Sequence, residues 1–422
     1  MKKIGLQLIV LSICFVFLNS AKAQESSKII PAADRTSTYL PLLKCKRIGV
    51  FANHTSVVGN THLVDFLLAN NIQVTKAFGP EHGFRGKADA GEKIENYIDS
   101  ATGIPVISLY GKKRRPSAED LADVDIMLFD IQDVGVRFYT FISSLEEYMN
   151  AAFENKKPLI LLDRPNPNGY YIDGPVLEME YKSFIGMKPV PIVYGMTIGE
   201  YALMLAGEKW LTPKANEQAA YYKNAENTAD TAFHFLVIKC ANYTHKSLYN
   251  LPVKPSPNLP DIQSIYWYPT TCFFEGTVLS EGRGTDHPFC IFGHPSITTK
   301  NAYSFTPTSR DGAKEPKLKN QLCYGWNLYN DNANTVKKKV NCKIQIGYLI
   351  DAYKAFPNKE KFFLQPKSGK PTDFFFNKLA GNSQLMQQII DEKSETEIRE
   401  SWKEKLDAFK QIRKNYLLYE DF

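Results

Sequence analysis

The run Ile126-Met127-Leu128-Phe129 is apolar at every position and lies between Asp125 and the segment Asp130-Ile131-Gln132-Asp133. A strand with one wet face alternates apolar and polar side chains. A strand that is apolar throughout is covered on both faces, as happens in a parallel sheet sandwiched by helices. Similar runs occur at Arg47–Asn53, Gln73–Phe78, Pro105–Tyr110 and Pro158–Leu162. Helical spacing intervenes at 62–69 and at about 138–154, and Ser117 with Asp120 has the form of a helix cap before Leu121. Strand and helix patterns thus alternate over about 130 residues, which predicts an α/β fold with a doubly wound parallel sheet.

In such a sheet the turns after the strands share one rim, and ligands bind there. The polar residues of this chain collect after strands. Asn53, His54 and Thr55 follow the first, and Gly79-Pro80-Glu81-His82-Gly83-Phe84-Arg85-Gly86 follows the second. Asp130, Gln132, Asp133 and Arg137 follow the fourth, and Asp163 the fifth. The eight residues from Gly79 hold an acid, a potential base and a fixed cation among glycines. A tight surface turn accounts for them as well as a site does. Gly195-Met196-Thr197-Ile198-Gly199 has the outline of a nucleophile elbow, but Thr197 with Glu200 reads as a capping box, and no strand precedes it. There is no GxGxxG and no P-loop, so no nucleotide cofactor is expected.

The chain opens with Lys2 and Lys3, an apolar run from Ile4 to Leu18, and Ala21-Lys22-Ala23. This is the pattern of a cleaved signal peptide over residues 1–23, and it predicts an exported, periplasmic or secreted protein without stable membrane insertion after cleavage. Residues 24–37 are polar and read as frayed. The formal charge of +6 includes Lys2, Lys3 and Lys22. No run of Lys or Arg interleaved with aromatics suggests a nucleic-acid partner, and Lys112-Lys113-Arg114-Arg115 reads as a solvated basic face. The cysteines beyond the leader (Cys45, Cys240, Cys272, Cys290, Cys323 and Cys342) match no zinc spacing, and some are expected to be buried and free. From about Tyr243 the pattern changes to prolines, aromatics and a second Gly-rich polar cluster, Phe274-Glu275-Gly276-Thr277 and Ser280-Glu281-Gly282-Arg283-Gly284-Thr285. Hence one sheet domain is expected over 38–245, and a smaller one over 246–422 completes a cleft. An amphipathic helix from Lys403 to Tyr419 is expected to pack back on the body.

The carboxylates that could carry chemistry are Glu81, Glu92, Asp130, Asp133, Asp163, Glu275 and Glu281. Two carboxylates flanking a glycosidic bond, one held protonated, are the usual requirement of a glycoside hydrolase. His54, His82, Asp130 and Asp133 could instead hold a metal, although no H-x-H or H-x-x-x-H pair supports one. Arg85, Arg137 and Arg283 could grip a substrate carboxylate. Tyr139, Tyr194, Trp267, Tyr268, Phe273 and Phe274 could stack on sugars, or simply pack a core. A glycosidase, a non-catalytic sugar-binding protein and a metal-dependent hydrolase all remain open on this reading.

The ordered segments are more specific together. They are Gly79–Gly86, Phe129–Thr140, Leu162–Pro167, Gly174-Pro175-Val176, Tyr194–Thr197, Pro255-Ser256-Pro257-Asn258, Phe274–Thr277 and Gly282–Thr285. In this order the chain resembles the exo-β-N-acetylmuramidases of the NamZ type, from about residue 45 to the closing Arg413–Tyr419. The resemblance implies a Rossmann-like domain, a smaller α+β domain and an active site in the cleft between them. It implies release of terminal N-acetylmuramic acid from the non-reducing end of peptidoglycan fragments, muropeptides or disaccharides. No cofactor and no metal are expected. Glu81 becomes the leading catalytic group, with His82, Asp130 and Asp133 assisting. Asn53, Arg85, Glu92, Arg137, Tyr139, Asn258, Glu275 and Arg283 are expected to meet substrate. Val278 and His294 depart from residues common in that family, Asn and Ala respectively, and could alter substrate fit.

Overall fold

The structure is a computed structural model that describes residues 28–81, 83–86, 95–222, 234–300 and 302–422, with the side chains of 220–222 left aside. The leader, His82 and Glu92 lie outside the described residues.

Five of the apolar runs form strands: β1 (Arg47–Phe51), β4 (Gln73–Gly79), β6 (Pro105–Ser108), β7 (Ile126–Phe129) and β8 (Leu159–Leu162). Between β1 and β4, β2 (Val57–Val58) and β3 (Thr61–His62) make a small hairpin. A sixth parallel strand, β9 (Phe235–Ile238), pairs with β8, and β5 (Tyr97–Ile98) runs antiparallel on the edge beside β6. The sheet order is β5-β6-β4-β1-β7-β8-β9. Without β5, the parallel strands fall in the order 3-2-1-4-5-6 of Rossmann-type sheets, with the topological switch between β1 and β7. The α/β class with a Rossmann-like parallel sheet is what the apolar runs require. Strand β9, Phe235-Leu236-Val237-Ile238, is a run of the same kind, but seventy-odd residues separate it from β8 and break the alternation that marks the other strands.

Side chains alternate across each strand, so both faces can be apolar only if both are covered. On one face Val50, Leu128 and Ile160 pack with Tyr39 and Leu43 of the helix Thr36–Leu43 and with Leu63 and Leu67 of the helix Leu63–Ala69. On the other, Phe51, Met127, Phe129 and Leu161 pack with Tyr148 and Met149 of the helix Phe141–Glu154. Residues 28–37 are not frayed. The Ile30 amide donates to Ala241 O at 2.9 Å and the Ala32 amide to Asp163 O at 3.0 Å. Ser117 and Asp120 exchange the expected bonds, but a turn forms rather than a helix, because β7 begins only six residues later. Thr197 and Glu200 do make a capping box, opening the helix Ile198–Gly207.

The smaller α+β domain holds an antiparallel sheet in the order β10 (Ile291–His294), β12 (Cys323–Asn327), β11 (Tyr303–Phe305), surrounded by short helices. Its closing helix, Glu395–Arg413, begins earlier than expected, gives way after Arg413 to a 3-10 turn rather than running to Tyr419, and returns to the first domain. There Arg413 donates to Gly195 O and pairs with Asp421, and Tyr416 donates to Glu208 at 2.6 Å. Cys240, Cys272, Cys290 and Cys323 are buried and free, while Cys45 and Cys342 are exposed and free. Among the described residues no helix is long and apolar enough to cross a membrane.

Candidate active site

Strand β4 ends at Gly79, and the chain turns back on itself at once. The Gly83 amide donates to Pro80 O at 3.0 Å, and the Gly86 amide to Gly83 O at 3.2 Å. At Gly86 the backbone is left-handed (φ +70°), and a Cβ there would lie 2.4 Å from the His54 ring, so only glycine fits. Phe84 is driven into the core edge-on to His62, with ring centroids 4.7 Å apart. Glu81 is left half-buried on the rim. Tyr110, just past β6, donates its hydroxyl to Glu81 Oε1 at 2.9 Å.

Glu81 lines a cavity of about 640 Å3 whose opposite wall comes from the second domain. That size falls among small-molecule sites. Tyr110, Arg114, Phe138, Thr140, Phe184 and Ile185 come from the sheet domain, and Tyr268, Glu275, Glu281, Arg283, Phe375 and the segment Gly312–Lys317 face them. A narrow inner extension is lined by Tyr139, Ser256 and Asn258 together with Glu81 and Arg283.

The far wall is built on close packing. Glu275 sits in the 3-10 turn Cys272–Gly276, and a Cβ on Gly276 would lie 2.6 Å from the backbone of Phe376. Phe274 stacks on Phe292 at 4.2 Å, which fixes the turn to β10. Arg283 Nη1 lies 2.7 Å from Glu275 and 3.3 Å from Glu281, and its guanidinium rests over the Phe289 ring. Lys317 Nζ lies 2.8 Å from Glu281 and also donates to the carbonyls of Phe274 and Thr277. The two glutamates are therefore unequal. Burial, reinforced by the Glu281 charge, holds the Glu275 pKa above the ordinary range despite Arg283. Burial also opposes the charge on Glu281, but Lys317 and Arg283 together outweigh it and hold its pKa low. A pair of carboxyls driven apart in this way can divide acid and base roles.

Two family models, described as the N-terminal and C-terminal parts of the exo-β-N-acetylmuramidase NamZ, match residues 48–263 and 266–419. The chain belongs to the NamZ exo-β-N-acetylmuramidase family. The peptidoglycan β-N-acetylmuramidase NamZ of Bacillus subtilis (strain 168) is 39% identical over 406 residues, covering 90% of this chain and 89% of that protein. Two crystal structures of DUF1343 family proteins from Bacteroides fragilis NCTC 9343 share the fold. One has a TM-score of 0.80 at 45% identity, covering 94% of this chain and 100% of its own. The other has a TM-score of 0.73 at 27% identity, covering 93% and 99%.

In this NamZ-family chain the cavity gathers five of the residues expected from the sequence: Glu81, Tyr139, Asn258, Glu275 and Arg283. Tyr139 is buried and donates to Pro255 O at 2.8 Å, while Asn258 Nδ2 donates to Gly312 O at 2.8 Å and so braces the loop that carries Lys317. His82 and Glu92 lie outside the described residues. The other expectations are corrected by where the side chains turn. Asp130 is sealed under Arg164, whose Nε and Nη2 lie 2.5 and 2.7 Å from its two oxygens. Asp133 is buried beneath the rim, where Gly135 N and the Tyr194 hydroxyl donate to it, and burial pushes its pKa up to about 6. Asn53 Oδ1 accepts from Thr55 N and Oγ1 and so shapes its own turn. Arg85 is held by Asp65 and Asp99 at 2.9 and 2.7 Å. Arg137 is fully buried, donates to Pro175 O, Val190 O and Leu379 O, and has its pKa lowered by burial to about 9.

Among the described residues no group of three His, Cys, Asp or Glu side chains is placed to hold a metal ion. Val278 and His294 are not among the lining residues. Tyr110, Arg114, Phe184 and Lys317 line the cavity without having been singled out as site residues. Tyr110 closes the third apolar run and Arg114 sits in a basic cluster, so each had a faint signal. Lys317 and Phe184 had none.

Proposed function

We propose that this chain is an exo-β-N-acetylmuramidase, a glycosidase that releases terminal N-acetylmuramic acid from the non-reducing end of peptidoglycan fragments. The observation that carries the reading is Glu81 on one wall of a single cavity and the unequal pair Glu275 and Glu281 on the other. Glu81, held by the Tyr110 hydroxyl, protonates the leaving oxygen. The acetamido oxygen of the sugar is available to attack the anomeric carbon, so a second carboxylate, Glu275, need only orient that amide. Tyr268 and Phe138 offer apolar faces to the ring. Family membership supports the same bond and sugar.

We further propose that the protein is exported. Lys2, Lys3, the apolar run and Ala21-Lys22-Ala23 support this. Sequencing the N-terminus of the protein from its native host should give Gln24; an intact Met1 in the cytoplasmic fraction would reverse that reading.

The deciding experiment incubates the purified chain with a MurNAc-GlcNAc disaccharide and follows release of both sugars. The wild type should cleave it, and Glu81→Gln should lose about 100-fold or more in kcat. No cleavage by the wild type, or undiminished cleavage by the variant, would overturn the assignment.

A further inference from the structure

Resting on that reading, we infer that Arg114 is the specificity residue that receives the 3-O-lactyl carboxylate of the muramic acid ring. Muramic acid differs from glucosamine by this one anionic arm, so a cavity that selects it must place a cation where the arm ends. The other cations of the cavity and its expected contacts are already engaged, Lys314 of the lining among them. Arg283 lies between Glu275 and Glu281, and Lys317 holds Glu281 and two carbonyls. Arg85 is closed by Asp65 and Asp99 away from the cavity. A second carboxylate brought to Arg283 would also meet the charge of Glu281.

Arg114 differs from its neighbours in the basic cluster. Lys112 is exposed, Lys113 pairs with Asp120 at 2.5 Å, and Arg115 pairs with Glu147 and Glu154 at 2.6 and 3.0 Å. Arg114 turns to the cavity instead. Its guanidinium stacks 3.7 Å from the centroid of Phe184, which lies in the tight Ser183–Gly186 turn, and 6.0 Å from that of Tyr110. Among the described residues it pairs with no carboxylate, and its Nη1 is buried with no hydrogen-bond partner. A buried N–H without an acceptor is costly, and a ligand oxygen would remove that cost. Stacking fixes the plane of the guanidinium and leaves its N–H edge for a bidentate carboxylate. Phe184 and Ile185 beside it suit the methyl group of the lactyl arm. Through Tyr110, the same corner adjoins Glu81. The arm and the scissile oxygen are thereby registered from the ends of two adjacent strands, β4 and β6.

The test compares a chromogenic β-muramide bearing the free lactyl carboxylate with its neutral lactyl carboxamide, for the wild type and Arg114→Gln. The wild type should prefer the acid by about 10- to 100-fold in kcat/KM, and R114Q should bring the ratio close to one. Calorimetric binding of free MurNAc and of its lactyl carboxamide reads the same ratio without turnover. Failure of hydrolysis therefore sinks the glycosidase reading, while the binding ratio still judges Arg114. A wild type that does not prefer the acid, or an R114Q variant that keeps the preference or loses both ligands equally, would overturn the inference. A muramide with alanine amide-linked to the lactyl group moves the carboxylate one residue outward. An R114Q defect confined to that substrate would assign Arg114 to the peptide stem and also overturn it.

Discussion

Tyr110 and Glu81 stand at the ends of adjacent parallel strands, and the phenol donates to the carboxylate at 2.9 Å. The sheet register itself therefore sets the position of the leading acid. Tyr110→Phe removes a donor to this carboxylate without changing ring size or the face it turns to Arg114. One hydrogen bond to a carboxylate is worth about 1.5–3 kcal/mol, so kcat/KM on a chromogenic muramide should fall roughly 10- to 100-fold. Retention of full activity would mean that Glu81 needs no help from its neighbour strand.

Glu275 and Glu281 share Arg283, and the Glu281 charge raises the proton affinity of Glu275. Neutralising Glu281 removes that contribution, so the pKa of Glu275 must fall. The pH–rate profile of Glu281→Gln should show one limb displaced to lower pH, and that limb should vanish in Glu275→Gln. Profiles of both variants superimposable on the wild type would exclude Glu275 from the proton inventory of the reaction.

Arg164 fills the crevice at the switch between β1 and β7, the place where open α/β sheets ordinarily bind a ligand. It anchors there on Asp130 and on Val57 O at 3.0 Å. The pair is structural, so its loss should appear in stability and not in recognition. Asp130→Ala strands a buried guanidinium and should cost about 3–5 kcal/mol in denaturant unfolding. The folded variant should keep its KM for the muramide. A large rise in KM at unchanged stability would return Asp130 to the site.

That contrast explains how much was legible in the sequence. Uninterrupted apolar runs can satisfy only a doubly covered sheet, so five strands, the rim and the turn at Glu81 were readable. Which rim residues open to the cavity was not. Asp130 and Asp133 carry the same charge after the same strand, yet one is closed by Arg164, thirty-four residues onward, and the other by Tyr194. Such pairings are decided in three dimensions. Arg137 looked like a substrate clamp because arginine rarely sits in a core; here three carbonyls from separate segments hold it. Arg114 was obscured for the opposite reason, because three basic neighbours made it look like solvated surface.

The buried carboxyls also leave a mark on stability against pH. Asp163 lies under the N-terminus of the helix Ile198–Gly207, where it accepts from Gly199 N, Thr197 Oγ1 and the Tyr419 hydroxyl at 2.8, 2.7 and 2.6 Å. Burial, reinforced by the charge of Glu200, outweighs these bonds and pushes its pKa up to about 7. Asp133 is pushed up to about 6. In the unfolded chain both titrate near 3.8. Between those limits the folded state binds more protons than the unfolded state. The contribution of each group is therefore complete below its unfolded pKa and is lost as pH rises through its folded one. Depressed carboxyls such as Asp125, held at about 2 by Arg47, act in the opposite sense but have finished titrating below pH 5. His62, whose pKa burial lowers to about 4, also opposes this slope as the unfolded chain loses its imidazole proton near 6.5, but the two raised carboxyls outweigh it. The denaturant midpoint should consequently fall between pH 5 and 8, and Asp163→Asn should flatten that slope. A wild-type midpoint that climbs across this range, or an Asp163→Asn variant with an undiminished slope, would show that Asp163 is ionised in the folded protein.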